Sequence, residues 1–144
     1  MADLRFSTAM QALLLLADAA RKGTPLVSSA QLADCLRTNP SFVRSLLIPL
    51  FQAGLIETVR GRNGGVQLAK DAARITLLDV HQASVCGKPM WLSRPDERSE
   101  NPAAIRVQAY FDRLNDEAAV AVAGVLRRQT LAGALEACLD QPTD

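Results

Sequence analysis

Residues 28–68 constrain the fold more than any other stretch: "SSAQLADCLRTNPSFVRSLLIPLFQAGLIETVRGRNGGVQL". Ser28 and Ser29 are helix-start residues, and Leu32, Ala33 and Leu36 give the helix from Ser29 to about Leu36 one apolar stripe. Arg37-Thr38 breaks it. Asn39 is then a good N-cap and Pro40 a favoured first helical residue, so the next helix begins almost at once. It runs to about Ala53 and stops at Gly54. Val43, Leu46, Leu47 and Leu50 recur at helical spacing and face inward, which leaves Ser41, Phe42, Arg44 and Ser45 on other faces. Pro49 is expected to kink this helix or free one of its hydrogen bonds. Leu55–Val59 and Val66–Leu68 read as short strands around a glycine-rich turn. Two helices, a short break and a hairpin describe a winged helix-turn-helix, with the helix after Asn39 in the recognition position.

The turn carries more than turning needs. One Asn-Gly or Gly-Gly pair is enough for a hairpin. Here Arg60, Arg62 and Asn63 sit beside Gly61, Gly64 and Gly65. Gly64 and Gly65 permit positive φ and let the backbone approach phosphate without Cβ clashes. The arginines fit a narrow DNA minor groove, whose width and potential attract guanidinium groups. Charge is distributed to match. Residues 1–75 hold nine Lys/Arg and five Asp/Glu (+4), and residues 76–144 hold seven and ten (−3). Within 37–62, Arg37, Arg44, Arg60 and Arg62 face a single acid, Glu57. A locally positive front half implies an anionic partner. The hydroxyls and backbone N–H groups at Ser28 and Ser29 suit a phosphate as well as simple capping.

Around this unit the chain reads as helix. Ser7 is a candidate cap for a helix to about Lys22, ended by Gly23, whose apolar residues cover nearly all faces. Ile75–Val80 reads as a strand end and a short helix capped by Thr76. Residues 85–102, rich in Pro, Ser and charge, read as a connecting loop. Met90 and Trp91 there are expected to plug the core, with an effector pocket as the other possibility. From Ala103 to about Gln129 a long helix places Val107, Phe111, Leu114, Ala118, Ala121 and Val125 at alternating spacings of four and three, a coiled-coil-like seam. A helix of roughly 40 Å outreaches so small a domain, so the seam implies a homodimer. Leu131–Leu139 reads as a last short helix. The predicted fold is mainly α with a small β wing: a winged helix-turn-helix over 1–84, a connecting loop over 85–102, and a dimerisation helix with a short terminal helix over 103–144.

Other classes are poorly supplied. One histidine, no clustered acid–base pair and no phosphate loop leave little from which to build an enzyme site. The run Met10–Ala17 is too short to span a bilayer, so a cytoplasmic protein with no membrane partner is expected. Cys35, Cys86 and Cys138 are odd in number and widely spaced, which is no disulfide framework.

Three segments, "LRFSTAMQALLLLA", "VSSAQLADCLRTNPSFVRSLLIPLFQAGLIETVRGRNGGVQLAK" and "ITLLDVHQA", resemble the Rrf family of bacterial winged helix-turn-helix regulators, which includes IscR, NsrR and CymR. The likeness covers about residues 3–84. It implies a dimeric DNA-binding transcription factor, usually a repressor, on a pseudo-palindromic operator of double-stranded DNA. It implies that Ser41, Phe42, Arg44 and Ser45 enter the major groove and that Arg60 reaches the minor groove. Iron–sulfur members carry three closely spaced cysteines in the loop after the "ITLLDV" helix. This chain has only Cys86 there, with His81 five residues before it. No cofactor is therefore predicted, and a cluster held by Cys86, His81 and a partner's cysteine is the alternative. A thiol sensor needs one reactive thiolate, for which Cys35, beside Arg37, and Cys86 are the candidates; a free cysteine as a small buried hydrophobe is the plain reading. The function expected is a homodimeric repressor that responds to a redox, electrophile or small-molecule signal. A winged-helix scaffold for protein partners, without DNA binding, is the other class.

Overall fold

The structure is a computed structural model that describes residues 3–89, 91 and 100–143. Among the described residues six helices and one hairpin follow in order: α1 (Arg5–Arg21), α2 (Ser29–Leu36), α3 (Pro40–Gln52), β1 (Ile56–Val59), β2 (Gly65–Leu68), α4 (Leu77–Val85), α5 (Pro102–Arg127) and α6 (Leu131–Leu139). A single 3₁₀ turn, Ala72–Arg74, precedes α4. Asp71 caps it by accepting the N–H of Ala73, and the strand end expected next is an extended Ile75 followed by a bridge between Thr76 and Thr130.

The helix starts follow side-chain chemistry. Ser28 and Gln31 form a reciprocal capping box on α2, with contacts of 3.1 and 2.9 Å. Asn39 Oδ1 accepts the Ser41 N–H at 2.7 Å, and Pro40 follows at the first helical position. Thr76 and Asp79 form a second capping box on α4. Ser7 is not a cap. The first turn of α1 begins earlier, where Asp3 Oδ1 accepts the Arg5 N–H, and the Ser7 hydroxyl instead donates back to the Leu4 carbonyl. The break between α2 and α3 is a left-handed turn at Arg37, with φ of 49° in a residue other than glycine. α3 runs on through Pro49 to Gln52.

One core joins both ends of the chain. Leu13 and Leu16 of α1 meet Leu32 of α2, Val43 and Leu50 of α3, and Ile56 of β1. Val80 of α4 and Leu131 of α6 complete it, and Leu131 is fully buried. Backbone bonds from the Leu77 N–H to the Gln129 carbonyl (3.0 Å) and from the Leu131 N–H to the Ile75 carbonyl (2.8 Å) clasp the α5–α6 turn to the start of α4. α6 therefore packs on α1 rather than extending away from it. α5 contrasts with this. It leans on α4, and not one of its 26 residues is buried.

Candidate nucleic-acid interface

β1 and β2 pair antiparallel from Ile56 opposite Leu68 to Val59 opposite Gly65, and Glu57 and Gln67 are bridged across the ladder at 2.6 Å. Arg60, Arg62 and Asn63 are exposed in the connecting turn, which the Gly64 N–H closes onto the Gly61 carbonyl at 3.1 Å. The glycines work differently from the sequence expectation. Positive φ falls on Gly61, at 112°, and on neither Gly64 nor Gly65. Those two are required by space inside the protein. A Cβ on Gly64 would lie 2.0 Å from the Val59 carbonyl oxygen, and one on Gly65 would lie 2.7 Å from that of Val27. They make room for the chain's own backbone at the root of the turn.

Val27 is the residue that sequence reasoning missed. It bonds in both directions with Val66, at 3.0 and 2.8 Å, as an isolated antiparallel bridge on the open side of β2. The next residue is Ser28, the cap of α2. The N-terminus of α2, with Ser28 and Ser29, is thus tied directly to the wing. The only sequence signal was an apolar residue just before a helix cap, which occurs in many loops.

α3 buries Val43, Leu46, Leu47 and Leu50 and exposes Ser41, Arg44 and Ser45, with Phe42 half-buried. Arg44 leans back on the Ser41 hydroxyl at 3.4 Å, and the Ser45 hydroxyl donates to the Phe42 carbonyl at 2.7 Å. The same face continues into Ile48 and Phe51, which are 57% and 53% exposed. The outer face of α3 is therefore polar and cationic in its first half and apolar in its second. The apolar half was readable at helical spacing from Ser41. Among the described residues the ion pairs are those of Asp18 with Arg21 and Lys22, so Arg37, Arg44, Arg60 and Arg62 all present uncompensated charge.

The seam residues of α5 lie on one unburied face. Val107, Phe111, Ala121 and Val125 are exposed, and Leu114 and Ala118 are half-covered. The three cysteines are also exposed, against the reading of free thiols as buried hydrophobes. Cys35 is in the last turn of α2, two residues before the left-handed turn at Arg37. Cys86 ends α4 in a left-handed conformation, φ 52°, with its thiol directed to the Ala83 carbonyl at 3.5 Å. Cys138 is on α6. His81 packs its ring edgewise against Phe6 at 5.0 Å. Trp91 is no core plug. It is 45% exposed, and its backbone is held by Asn115 of α5. Met90, its expected companion, lies outside the described residues.

The family model Rrf2, described as an iron-dependent transcriptional regulator, matches residues 3–137. The chain belongs to the Rrf2 family. Over 61 residues it is 46% identical to protein aau3 of Rhizobium meliloti, covering 42% of this chain and 40% of that one. Over 75 residues it is 37% identical to the HTH-type transcriptional regulator IscR of Cereibacter sphaeroides, covering 52% and 48%. The matched segments thus span about two fifths to one half of these relatives' length. A crystal structure from Lactobacillus plantarum is 28% identical, with a TM-score of 0.76 over 96% of this chain and 91% of that chain. The winged-helix fold of this Rrf2 chain and its long C-terminal helix are shared with such neighbours.

The family description names iron, and the donors described in the single chain do not assemble a site for it. Cys35, Cys86 and Cys138 stand on three different helices or their ends. Among the described residues no three His, Cys, Asp or Glu side chains are grouped to hold an ion. Nor is any helix among them long and apolar enough to cross a membrane.

Proposed function

We propose that this Rrf2 chain is a sequence-specific DNA-binding transcriptional regulator, acting in the cytoplasm as a homodimeric repressor on a pseudo-palindromic operator. The observation that carries the reading is the pairing of two exposed cationic elements on one rigid frame. Arg44 stands on the open face of α3, Arg60 and Arg62 at the wing tip, and none has an ion pair among the described residues. Core burial fixes α3, and the Val27–Val66 bridge fixes the wing.

In this reading the first half of α3 enters the major groove. Ser41, Phe42 and Ser45 meet base edges there, and Arg44 donates to guanine O6 and N7 or to a phosphate. The wing enters the minor groove through Arg60 and Arg62, with Asn63 beside them. The start of α2 offers its N–H groups to a phosphate. Two copies joined along the α5 seam present this surface twice, as a two-fold operator requires. Cys35 is the thiol best placed to report on redox state or electrophiles, because α2 hands over to α3 immediately after it. Loss of a duplex response to mild oxidant in Cys35→Ser tests that assignment, and an intact response removes it.

The main test uses a duplex that the protein itself selects from a random pool. Wild-type protein should retard it as a dimer, with a steep salt dependence from released counterions. Replacing Arg60 and Arg62 by alanine should lower the salt slope by roughly 1–2. Failure to enrich any duplex, or an unaltered slope in the double variant, rules the reading out.

A further inference from the structure

A cavity of about 600 Å³ lies between the start of α1, the outer side of α4 and the middle of α5. Its floor is apolar: Phe6, Leu78, Val85 and Val122. Three charged groups of both signs stand at its rim, Asp3 and Asp116 as carboxylates and Lys88 as an ammonium. None of the three has an ion pair among the described residues, and the Asp116 and Lys88 side chains have no hydrogen bond there either. One wall is built by α5. Asn115, one of its lining residues, accepts the Trp91 N–H and donates to the Trp91 carbonyl, both at 3.0 Å. The volume is ordinary for a small-molecule site, and the lining mixes apolar side chains with polar ones, His81, Gln82 and Asn115 among them.

We propose that this cavity binds a small zwitterion with an apolar tail, of the class of the apolar α-amino acids. Asp116 and Asp3 take the ammonium group, Lys88 takes the carboxylate, and the tail rests on Phe6 and Val122. The mixed charge selects the class. A simple amine leaves the Lys88 ammonium facing a like charge, and a simple acid meets two carboxylates. A molecule bearing both charges on one carbon answers both.

Occupancy has a route to the rest of the molecule. α4 packs on α3 and on α5. A ligand wedged between α4 and α5 therefore sets the angle between the recognition helix and α5, whose seam residues Leu114 and Ala118 are one helical face away. The spacing of two recognition helices in a dimer changes with that angle, by as much as the ligand prefers one arrangement over the other. This consequence rests on the DNA-binding reading; the binding itself does not.

The test titrates full-length protein with L-leucine and L-phenylalanine, read by calorimetry and by fluorescence of Trp91, the chain's single tryptophan. Isopentylamine and phenethylamine, lacking the carboxylate, and 4-methylpentanoate and 3-phenylpropanoate, lacking the amine, are run beside them. Saturable binding of at least one amino acid is expected with Kd below about 1 mM, its amine and acid being at least about tenfold weaker. Asp116→Asn and Lys88→Gln, both exposed positions, should each weaken it about tenfold without altering thermal unfolding. No saturable binding of either amino acid overturns the proposal. So does an amine or acid that binds as tightly, or retention of affinity in both variants. A protein that binds the amino acid but never retards a selected duplex keeps the pocket and refutes the DNA reading instead.

Discussion

Replacing Gly64 by alanine tests the wing at the point where the structure is least forgiving. The new methyl would sit 2.0 Å from the Val59 carbonyl oxygen, and real Cβ atoms do not approach such atoms closer than 3.0 Å, so at least 1.0 Å must open. The Val59 and Arg60 carbonyl carbons lie at 2.9 and 3.0 Å, so every close neighbour is backbone and no rotamer change relieves the clash. The turn bond from Gly64 to Gly61 and the terminal pair Val59–Gly65 yield first. The damage then stops, because the next pair, Thr58–Val66, is held from the other side by Val27. A local opening of this kind costs about 1–3 kcal/mol, and Tm should fall by roughly 3–10 °C in cooperative unfolding. Arg60 and Arg62 move with the tip. Affinity for a selected duplex, measured by fluorescence anisotropy over a salt series, should drop about 10- to 100-fold with a shallower slope. Asn63→Ala, at an exposed neighbour, is the control and should change stability by no more than about 0.5 kcal/mol. An unchanged Tm for Gly64→Ala would refute the steric argument. A lowered Tm with wild-type affinity and slope would refute wing docking.

Four further outcomes are expected. Arg44→Ala should cost about 1–3 kcal/mol on the selected duplex and less on random DNA; equal losses on both would make Arg44 a phosphate contact rather than a base reader. Leu131→Ala removes a fully buried side chain of the common core and should lower unfolding free energy by about 2–5 kcal/mol in urea, whereas a change below about 1 kcal/mol would show α6 to be peripheral. Phe111→Glu, at a seam position 38% exposed in the single chain, should leave the helical circular dichroism intact while sedimentation shifts from dimer to monomer. A Phe111→Glu protein that still sediments as a dimer counts against the α5 interface. Asp18 has its carboxyl held below the ordinary value, first by the hydrogen bond from Lys22 and then by that from Arg21. Its pKa is lower folded than unfolded, so its contribution is present above about pH 4 and is lost as pH falls through the folded value. Asp18→Asn should therefore flatten that part of the acid limb in urea unfolding followed down from about pH 5, and an unaltered limb would contradict the assignment.

Most of the winged-helix unit was legible before any coordinates, because its signals are local. The caps Ser28, Asn39 and Thr76, Pro40 at a helix start, and the inward residues of α3 act within a few positions of where they are read. Ser7 failed for the same reason that the others succeeded. Capping depends on which N–H lies within reach, and Asp3 reached the first one sooner. The candidate site was less legible. Arg44 and the wing arginines stood out as charge without a local purpose, but the place of Gly64 and Gly65 did not. Their requirement comes from Val59 across the turn and from Val27, distant in the chain, and no short-range rule carries either contact.

The sequence by itself determined the helices, the hairpin and the apolar face of α5, since periodicity and end-capping are properties of neighbouring residues. Tertiary structure alone decided that Val27 joins the wing, that Leu131 returns to the core of α1, and that Asp3, Asp116 and Lys88 ring one cavity. Each of those brings together residues far apart in the chain. The free energy that selects such pairings is the burial and bonding gained only when the whole chain closes, and it leaves no mark on a window of adjacent residues.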